Sequence, residues 1–446
     1  MASTTTIPLV IGGKDVVTPA TFDVVNPSTG AVLHASSSAS VPEALAAVDA
    51  AAAAFPSWRA THPDHRRAIL LRAVDALAAR ADALKASMRA ETGSDAAWAD
   101  LNVAMAREQI VHAASHLVNI EARMPVVADP GREAVVIKEP YGVGSELSPE
   151  TLRQVCAVLW EAGLPPGVLN FITSAPSSAA AVTAAVVAHR AVRKVNFTGS
   201  TAVGRIIGRL AGENLKPVLL ELGGKAPSIV LADADLKLAA RHCALGAFLH
   251  AGQICMSTER ILVHESVRDA FAEALVAATA SLYGTDGGEA PVLVAQAAVA
   301  KNRALVADAV AKGATVLYGD VDAAEASATR MRPIVVADVR PDMDVYKTES
   351  FGPTVSLISF ATDDEAVEVA NDTEYGLAAA VFSRDLRRAL AVARRIETGA
   401  VHVNSMTPHD EPALPHGGAK DSGFGRFGGG FDEWTRTKTI TYDSLV

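Results

Sequence analysis

"VRKVNFTGSTAVGRIIGRLAG", Val192–Gly212, decides the fold. A strand runs into a turn at Gly199 and Ser200, and a helix follows that carries Gly204. Amides exposed at a helix N-terminus can hold a pyrophosphate, and a glycine there permits close approach. The spacing is not GxGxxG, so a tight turn that binds nothing remains the competing reading. Upstream, Pro149 opens a helix that Gly163 and two prolines stop, Val168–Ile172 reads as a strand, and "SAAAVTAAVVAH" reads as a helix. Downstream come the strands "KPVLLELGG" and "APSIVLA". Strands alternating with helices predict a doubly wound α/β unit with a parallel sheet.

Further alternation follows. A helix over Leu236–Leu249, strand "RILVHE", helix "VRDAFAEALVAATASLYG", strand "TVSLISF", strand "AAAVFS" and strand "AVHVN" predict a second α/β unit. The N-terminal part reads as short strands and then helices. Ser40 and Glu43 form a capping box with Pro42 in the first turn, and that helix runs to Phe55. A second starts near Pro63, with Ile69, Leu70, Val74, Leu77 and Leu84 at helical spacing, and a third covers about Ser94–Asn119. "EAVVIKEPYGV" (Glu133–Val143) reads as a strand, and the tail "WTRTKTITYDSLV" as β-rich.

The 446 residues suffice for two or three domains, and 50% hydrophobic with 20% charged residues is ordinary for a globular protein. A net charge of −10 argues against sequence-independent nucleic-acid binding. No basic leader or long apolar run predicts secretion or a membrane span. Cys156, Cys243 and Cys255 form no CxxC pair, which argues against a disulfide framework or a zinc site, and for a reducing, cytoplasmic setting. Cys156 and Cys243 sit in apolar helices as small hydrophobes.

Cys255 differs. In "HAGQICMSTER" (His250–Arg260) its neighbours are Gly252, Gln253 and Ser257, which makes it a candidate nucleophile. In "VLLELGGKAP" (Val218–Pro227) an apolar strand ends on Glu221, directly before Leu222, Gly223 and Gly224. A poorly solvated acid at the carboxyl end of such a strand suits a general base. The competing reading pairs Glu221 with Lys225 or an arginine. Thiol, carboxylate and dinucleotide turn together suggest thiol addition to an aldehyde, hydride loss to a nicotinamide, and hydrolysis of the resulting thioester.

At this point the chain resembles the aldehyde dehydrogenase superfamily along nearly its whole length. "FTGSTAVG", "ELGGKAP", "GQICMSTER", "ESFGPTVS", "NDTEYGLAAAVFS", "GAVHVN" and "PHGGAKDSGFGRFGG" stand in the family's order. "SMTPHDEPALPHGGAKDSGFGRFGG" is similar to the branch that oxidises salicylaldehyde, vanillin and related aromatic aldehydes. The resemblance implies Cys255 as nucleophile and Glu221 as general base. It also implies Gly199, Ser200 and Gly204 at the cofactor pyrophosphate, Glu349 on the nicotinamide ribose, Phe351 packed near that ribose, and the Leu222 carbonyl on the carboxamide. It implies a Rossmann-type cofactor-binding domain over 1–221 with an arm strand at 133–143, and an α/β catalytic domain over 222–402. Residues 403–446 would return to the cofactor domain and complete a β oligomerisation arm, in a homodimer or homotetramer.

The resemblance breaks once. After "EPYGV", family members continue with a strand and Trp-Asn loop, an Ala-rich helix, and a strand ending in Lys-Pro-Ser-Glu or similar. Here Val143 runs directly into "GSELSP", as if roughly thirty residues were removed. Ser145, Glu146 and Pro149 match the end of that motif, and its lysine is gone. The asparagine amide that helps the Cys255 N–H hold the oxyanion is gone too; losing one such donor costs about 10²–10³ in rate. Loss of an inner parallel strand would also bare sheet edges and apolar helix faces. Glu146 still favours NAD over NADP, because a carboxylate repels a 2′-phosphate. A wrongly spliced stretch, a degenerate member, and substitution by another segment are the three explanations. The expected function is oxidation of an aromatic or other hydrophobic aldehyde to its acid with NAD and without a metal. The rivals are a catalytically impaired or inactive homologue kept as a binding subunit, and a cofactor-independent thiol esterase.

Overall fold

A computed structural model describes residues 5–129, 131–141, 149–284 and 289–443. Glu146 and the Val143–Gly144 junction lie outside the described residues.

Two sheets position the site. The larger has seven strands in the order Thr315–Tyr318, Ile334–Ala337, Thr354–Phe360, Thr258–His264, Ala226–Val230, Ala378–Phe382 and Ala400–Val403. All neighbours are parallel except the first pair. Successive residues of a strand face opposite sides, and both sides are covered here. Val230, Ile261, Val263 and Phe382 pack with Cys243, Phe248, Phe271 and Leu275 of helices Leu236–Phe248 and Arg268–Tyr283. Ile229, Leu262 and Val381 pack with Val306, Val367 and Val392 of helices Gln296–Ala311, Asp363–Asn371 and Leu386–Ala393. The run "APSIVLA", grouped with the first α/β unit by alternation but with 222–402 by the family bounds, belongs to the middle of this sheet.

The smaller sheet holds Val218–Glu221 between parallel Val195–Thr198 and antiparallel Gly423–Phe424. Helix Thr201–Glu213 lies on it, joining Ile207 to Leu220 and Leu222. Among the described residues Val195–Thr198 ends this sheet. The expected strand over 168–172 shows only isolated bridges, Leu169 to Pro166 and Phe171 to Val10. Phe171 and Val10 exchange both backbone hydrogen bonds, at 2.7 and 2.9 Å, so this segment docks on the N-terminal hairpin instead. In a doubly wound sheet inner strands connect such a segment to the rest, and among the described residues none does.

Arg132–Pro140 pairs antiparallel with Thr435–Asp443 as a separate two-stranded ribbon. Glu139, only 5% exposed, anchors it through Arg59, Arg436 and Lys438. The first helix runs to Arg59 with Pro56 inside it, and Glu43 Oε2 accepts the Ser40 N–H at 2.9 Å. The helix expected from Pro63 past Leu84 breaks at Arg80 into Pro63–Ala79 and Ala81–Thr92. The third is Ala96–His116 with a 3-10 turn to Asn119. No described helix is long and apolar enough to cross a membrane.

Candidate active site

Cys255 stands just before strand Thr258–His264, on a loop that leaves helix Leu236–Phe248 through three consecutive left-handed residues, His250 (φ 48°), Ala251 (φ 57°) and Gly252 (φ 73°). The first two are unusual for side-chain-bearing residues. Gln253 braces the loop: its Nε2 donates to the His250 and Val292 carbonyls at 3.2 and 3.1 Å, and its Oε1 accepts the Val294 N–H at 2.9 Å. Trp98 stacks on His250 with centroids 5.0 Å apart, and burial pulls that imidazole down to about 4. Gly252 cannot be replaced, because a Cβ would stand 2.2 Å from the Gly352 carbonyl oxygen.

The Cys255 side chain keeps partial solvent access, yet it is packed closely enough that burial pushes its thiol up to about 12. The charges of Glu221 and Glu349 push in the same direction. The fold therefore brings Glu221 and Glu349 each within electrostatic reach of Cys255. Cys156 and Cys243 are ordinary packed thiols, pushed by burial to about 11 and about 12.

Glu221 ends the Val218–Glu221 strand and is 4% exposed. Lys225 is not its partner: Lys225 Nζ lies 2.6 Å from Glu259 Oε2, in an ion pair with both side chains buried. Among the described residues the titratable partner of Glu221 is His416, Nε2 to Oε2 3.4 Å, an ion pair when the imidazole is protonated. Gly224 lets the two halves of the site meet, since a Cβ there would stand 2.2 Å from the Cys255 carbonyl oxygen.

The second oxygen of Glu259 holds the Glu349–Ser350–Phe351 turn. It accepts the Ser350 N–H and hydroxyl at 2.9 and 2.7 Å and the Phe351 N–H at 3.1 Å. That grip stabilises Phe351, 40% exposed, at φ 47°. Glu349 Oε1 then accepts the Gly224 N–H at 2.8 Å, and burial raises the Glu349 carboxyl above its usual range. A Cβ on Gly223 would come within 2.7 Å of both Glu349 oxygens. Arg260, fully buried, closes the network by donating to the Val369 and Ala370 carbonyls, both at 2.8 Å, at the C-terminal end of helix Asp363–Asn371.

The three cofactor-turn residues separate into two kinds. Gly199 and Ser200 are exposed at the mouth of helix Thr201–Glu213, whose N-cap is Ser200. The Gly199 N–H is already committed to the Glu221 carbonyl at 3.0 Å. Gly204 is buried, and a Cβ on it would meet Leu222 Cδ2 at 2.4 Å, so helix and turn pack closely there. Leu222 is buried, with its N–H given to the Ser422 carbonyl at 3.0 Å. Sequence reasoning named Lys225 only as a rival partner for Glu221 and passed over Glu259, Arg260 and His416. The signal for Lys225, Glu259 and Arg260 was available, because charged residues inside runs that read as buried strand need partners. His416 offered none, since its contact with Glu221 spans 195 positions of the chain.

The family model "Aldehyde dehydrogenase family" matches residues 16–149 and 144–440. The chain is 39% identical to vanillin dehydrogenase of Pseudomonas fluorescens, over 98% of this chain and 97% of that one. Its fold superposes on the crystal structure of a salicylaldehyde dehydrogenase from Pseudomonas putida G7 complexed with salicylaldehyde, with TM-score 0.94, 34% identity and 98% of both chains covered. A betaine aldehyde dehydrogenase from Staphylococcus aureus in complex with NAD+ matches at TM-score 0.90 and 29% identity, covering 99% of this chain and 95% of that one. The vanillin dehydrogenase alignment spans 477 positions, so a chain of 446 leaves at least 31 of them empty. The two stretches matched to the family model meet at 144–149, where the sequence pattern breaks. The chain belongs to the aldehyde dehydrogenase family of oxidoreductases.

Proposed function

We propose that this protein oxidises an aromatic or other hydrophobic aldehyde to the carboxylic acid with NAD, through a covalent adduct on Cys255. The observation that carries the reading is at the seam between the two sheets, where the turn after Glu221 packs Gly224 on the Cys255 carbonyl and gives the Gly224 N–H to Glu349 at 2.8 Å. Its vanillin and salicylaldehyde relatives support the substrate class.

The residues present fit a dinucleotide. Gly199 and Ser200 are exposed where the first-turn amides of a helix lack intrahelical partners. Glu349 is seated against a glycine pair that leaves no room for another side chain. When bound, the nicotinamide supplies the hydride acceptor that turns a thiohemiacetal into a thioester. The chain does the rest. A thiol pushed up to about 12 is protonated at neutral pH, so Cys255 must lose its proton to a base as sulfur bonds to the aldehyde carbon. The Cys255 backbone N–H faces the charge that develops on the carbonyl oxygen. Glu221 then takes a proton from the water that attacks the thioester, the carbon–sulfur bond breaks, and the acid leaves. Glu349 orients the cofactor ribose and Phe351 packs beside it. Glu146, which lies outside the described residues, disfavours a 2′-phosphate. The Arg132–Pro140/Thr435–Asp443 ribbon, with Ile440 and Tyr442 exposed, serves as the arm through which copies associate.

The test is NADH formation with benzaldehydes and aliphatic aldehydes, comparing wild type with Cys255→Ala and Glu221→Gln. Wild type should favour the aromatic panel. Cys255→Ala should abolish the signal, and Glu221→Gln should slow turnover by about 10²–10⁴. Well-folded wild type that makes no NADH would leave the non-catalytic homologue standing. Ester hydrolysis that needs no cofactor would favour a thiol esterase.

A further inference from the structure

Glu221 is 4% exposed, and among the described residues no donor stands in good hydrogen-bond geometry to either of its carboxylate oxygens; the His416 contact is long. Burying a carboxylate without partners is costly, so the charge that stands beside it matters. Among the described residues that charge belongs to His416, with Nε2 3.4 Å from Glu221 Oε2 and the side chain 11% exposed. The imidazole is held in place. Its backbone exchanges hydrogen bonds with Phe427 at 2.7 and 2.9 Å, and the Phe427 ring lies against it with centroids 4.8 Å apart. The same C-terminal segment clamps the strand that carries the acid: Gly423 pairs with Glu221 and Phe424 with Leu220.

We propose that His416 is the positioning residue of the general base, its imidazolium holding and charge-balancing the Glu221 carboxylate that deprotonates the hydrolytic water. This rests on the role given to Glu221 above. The charged groups acting on the imidazole are Glu221, Asp410 and Arg426. Burial pulls His416 down and Arg426 opposes its protonation, but Glu221 and Asp410 outweigh both, and the net shift is upward from the ordinary histidine value. The imidazolium contact is therefore complete below the folded-state value and is lost as pH rises through it.

Two measurements test the pair. In NMR titrations the His416 imidazole should titrate above a free histidine in wild type, and lower in Glu221→Gln than in wild type. An unchanged titration in the variant overturns the pairing, whether or not the enzyme turns over. In pre-steady-state kinetics, His416→Phe should keep the NADH burst yet hydrolyse the thioester about ten-fold more slowly, a part of the about 10²–10⁴ a general base contributes. Wild type should lose hydrolysis rate as the imidazolium deprotonates, and His416→Phe should lack that limb. His416→Gln, which keeps a donor but does not titrate, should recover part of the rate without the limb. Wild-type hydrolysis and pH dependence in His416→Phe would overturn the proposal. Wild type without any burst would instead defeat the catalytic reading of Glu221, and the titration would still decide the pairing.

Discussion

Two strands four residues apart show how differently the halves of this molecule are built. Among the described residues Val218–Glu221 has one parallel neighbour and a two-residue antiparallel one, and helix Thr201–Glu213 packs on its sheet through Ile207, Leu220 and Leu222. Ala226–Val230 sits fifth of seven strands, and all five of its residues are buried. Parallel sheets are stable when helices cover both faces. The large sheet meets that condition; among the described residues the small one does not, since Val195–Thr198 ends it with no residue fully buried. Cys255 is mounted on the thick half and Glu221 on the thin half. Accuracy at the site therefore depends on the seam, where Lys225 and Glu259 tie the glycine turn to the Ser350–Phe351 turn.

The sharpest way to break that picture is Lys225→Met. It strands Glu259 as a buried charge and should cost about 3–5 kcal/mol in chemical denaturation. A variant as stable as wild type would mean the seam is not a structural joint. Leu262→Ala should cost about 2–5 kcal/mol, toward the upper end, because Leu262 is fully buried in the large core. Leu220→Ala should fall near about 2 kcal/mol, because its small cluster can relax around the loss. Equal losses would erase the distinction between the sheets. At the seam, alkylation of Cys255 by iodoacetamide in the cofactor-free protein should quicken about ten-fold per pH unit between about pH 7 and 9 without a plateau, because the thiolate is the reactive form and burial pushes the thiol up to about 12. A plateau near pH 8 would contradict that. The smallest effect is local opening: the Phe197 amide should exchange with solvent at least about ten-fold faster than that of Ile229. Equal protection would show that the thin sheet is as firmly held as the thick one.

Much of this was legible in the chain. Alternating strands and helices, the Gly199–Ser200 turn, the acid at the end of an apolar strand and the thiol among small polar residues are local patterns, and local patterns survive in sequence. Alternation alone grouped "APSIVLA" with the first α/β unit, while the family bounds of 222–402 set it with the second, because a fully buried strand looks the same in either sheet; sheet membership is a tertiary choice. The 168–172 run reads as a strand by composition, but a strand needs a neighbour, and its bonds go to Val10 instead. The break at Arg80 was invisible because helical spacing continues across it.

The sequence by itself determined which residues are chemically equipped: one thiol outside an apolar helix, one carboxylate closing an apolar strand, and glycines where backbone must meet backbone. It also revealed the junction after Val143, because motif order is a property of the chain alone. Only the tertiary structure decided how the charges pair. Lys225 goes to Glu259 rather than to Glu221, and Glu221 is left to His416. The reason is physical: a buried charge takes the partner that packing brings within a few ångströms, and distance along the chain does not enter that choice.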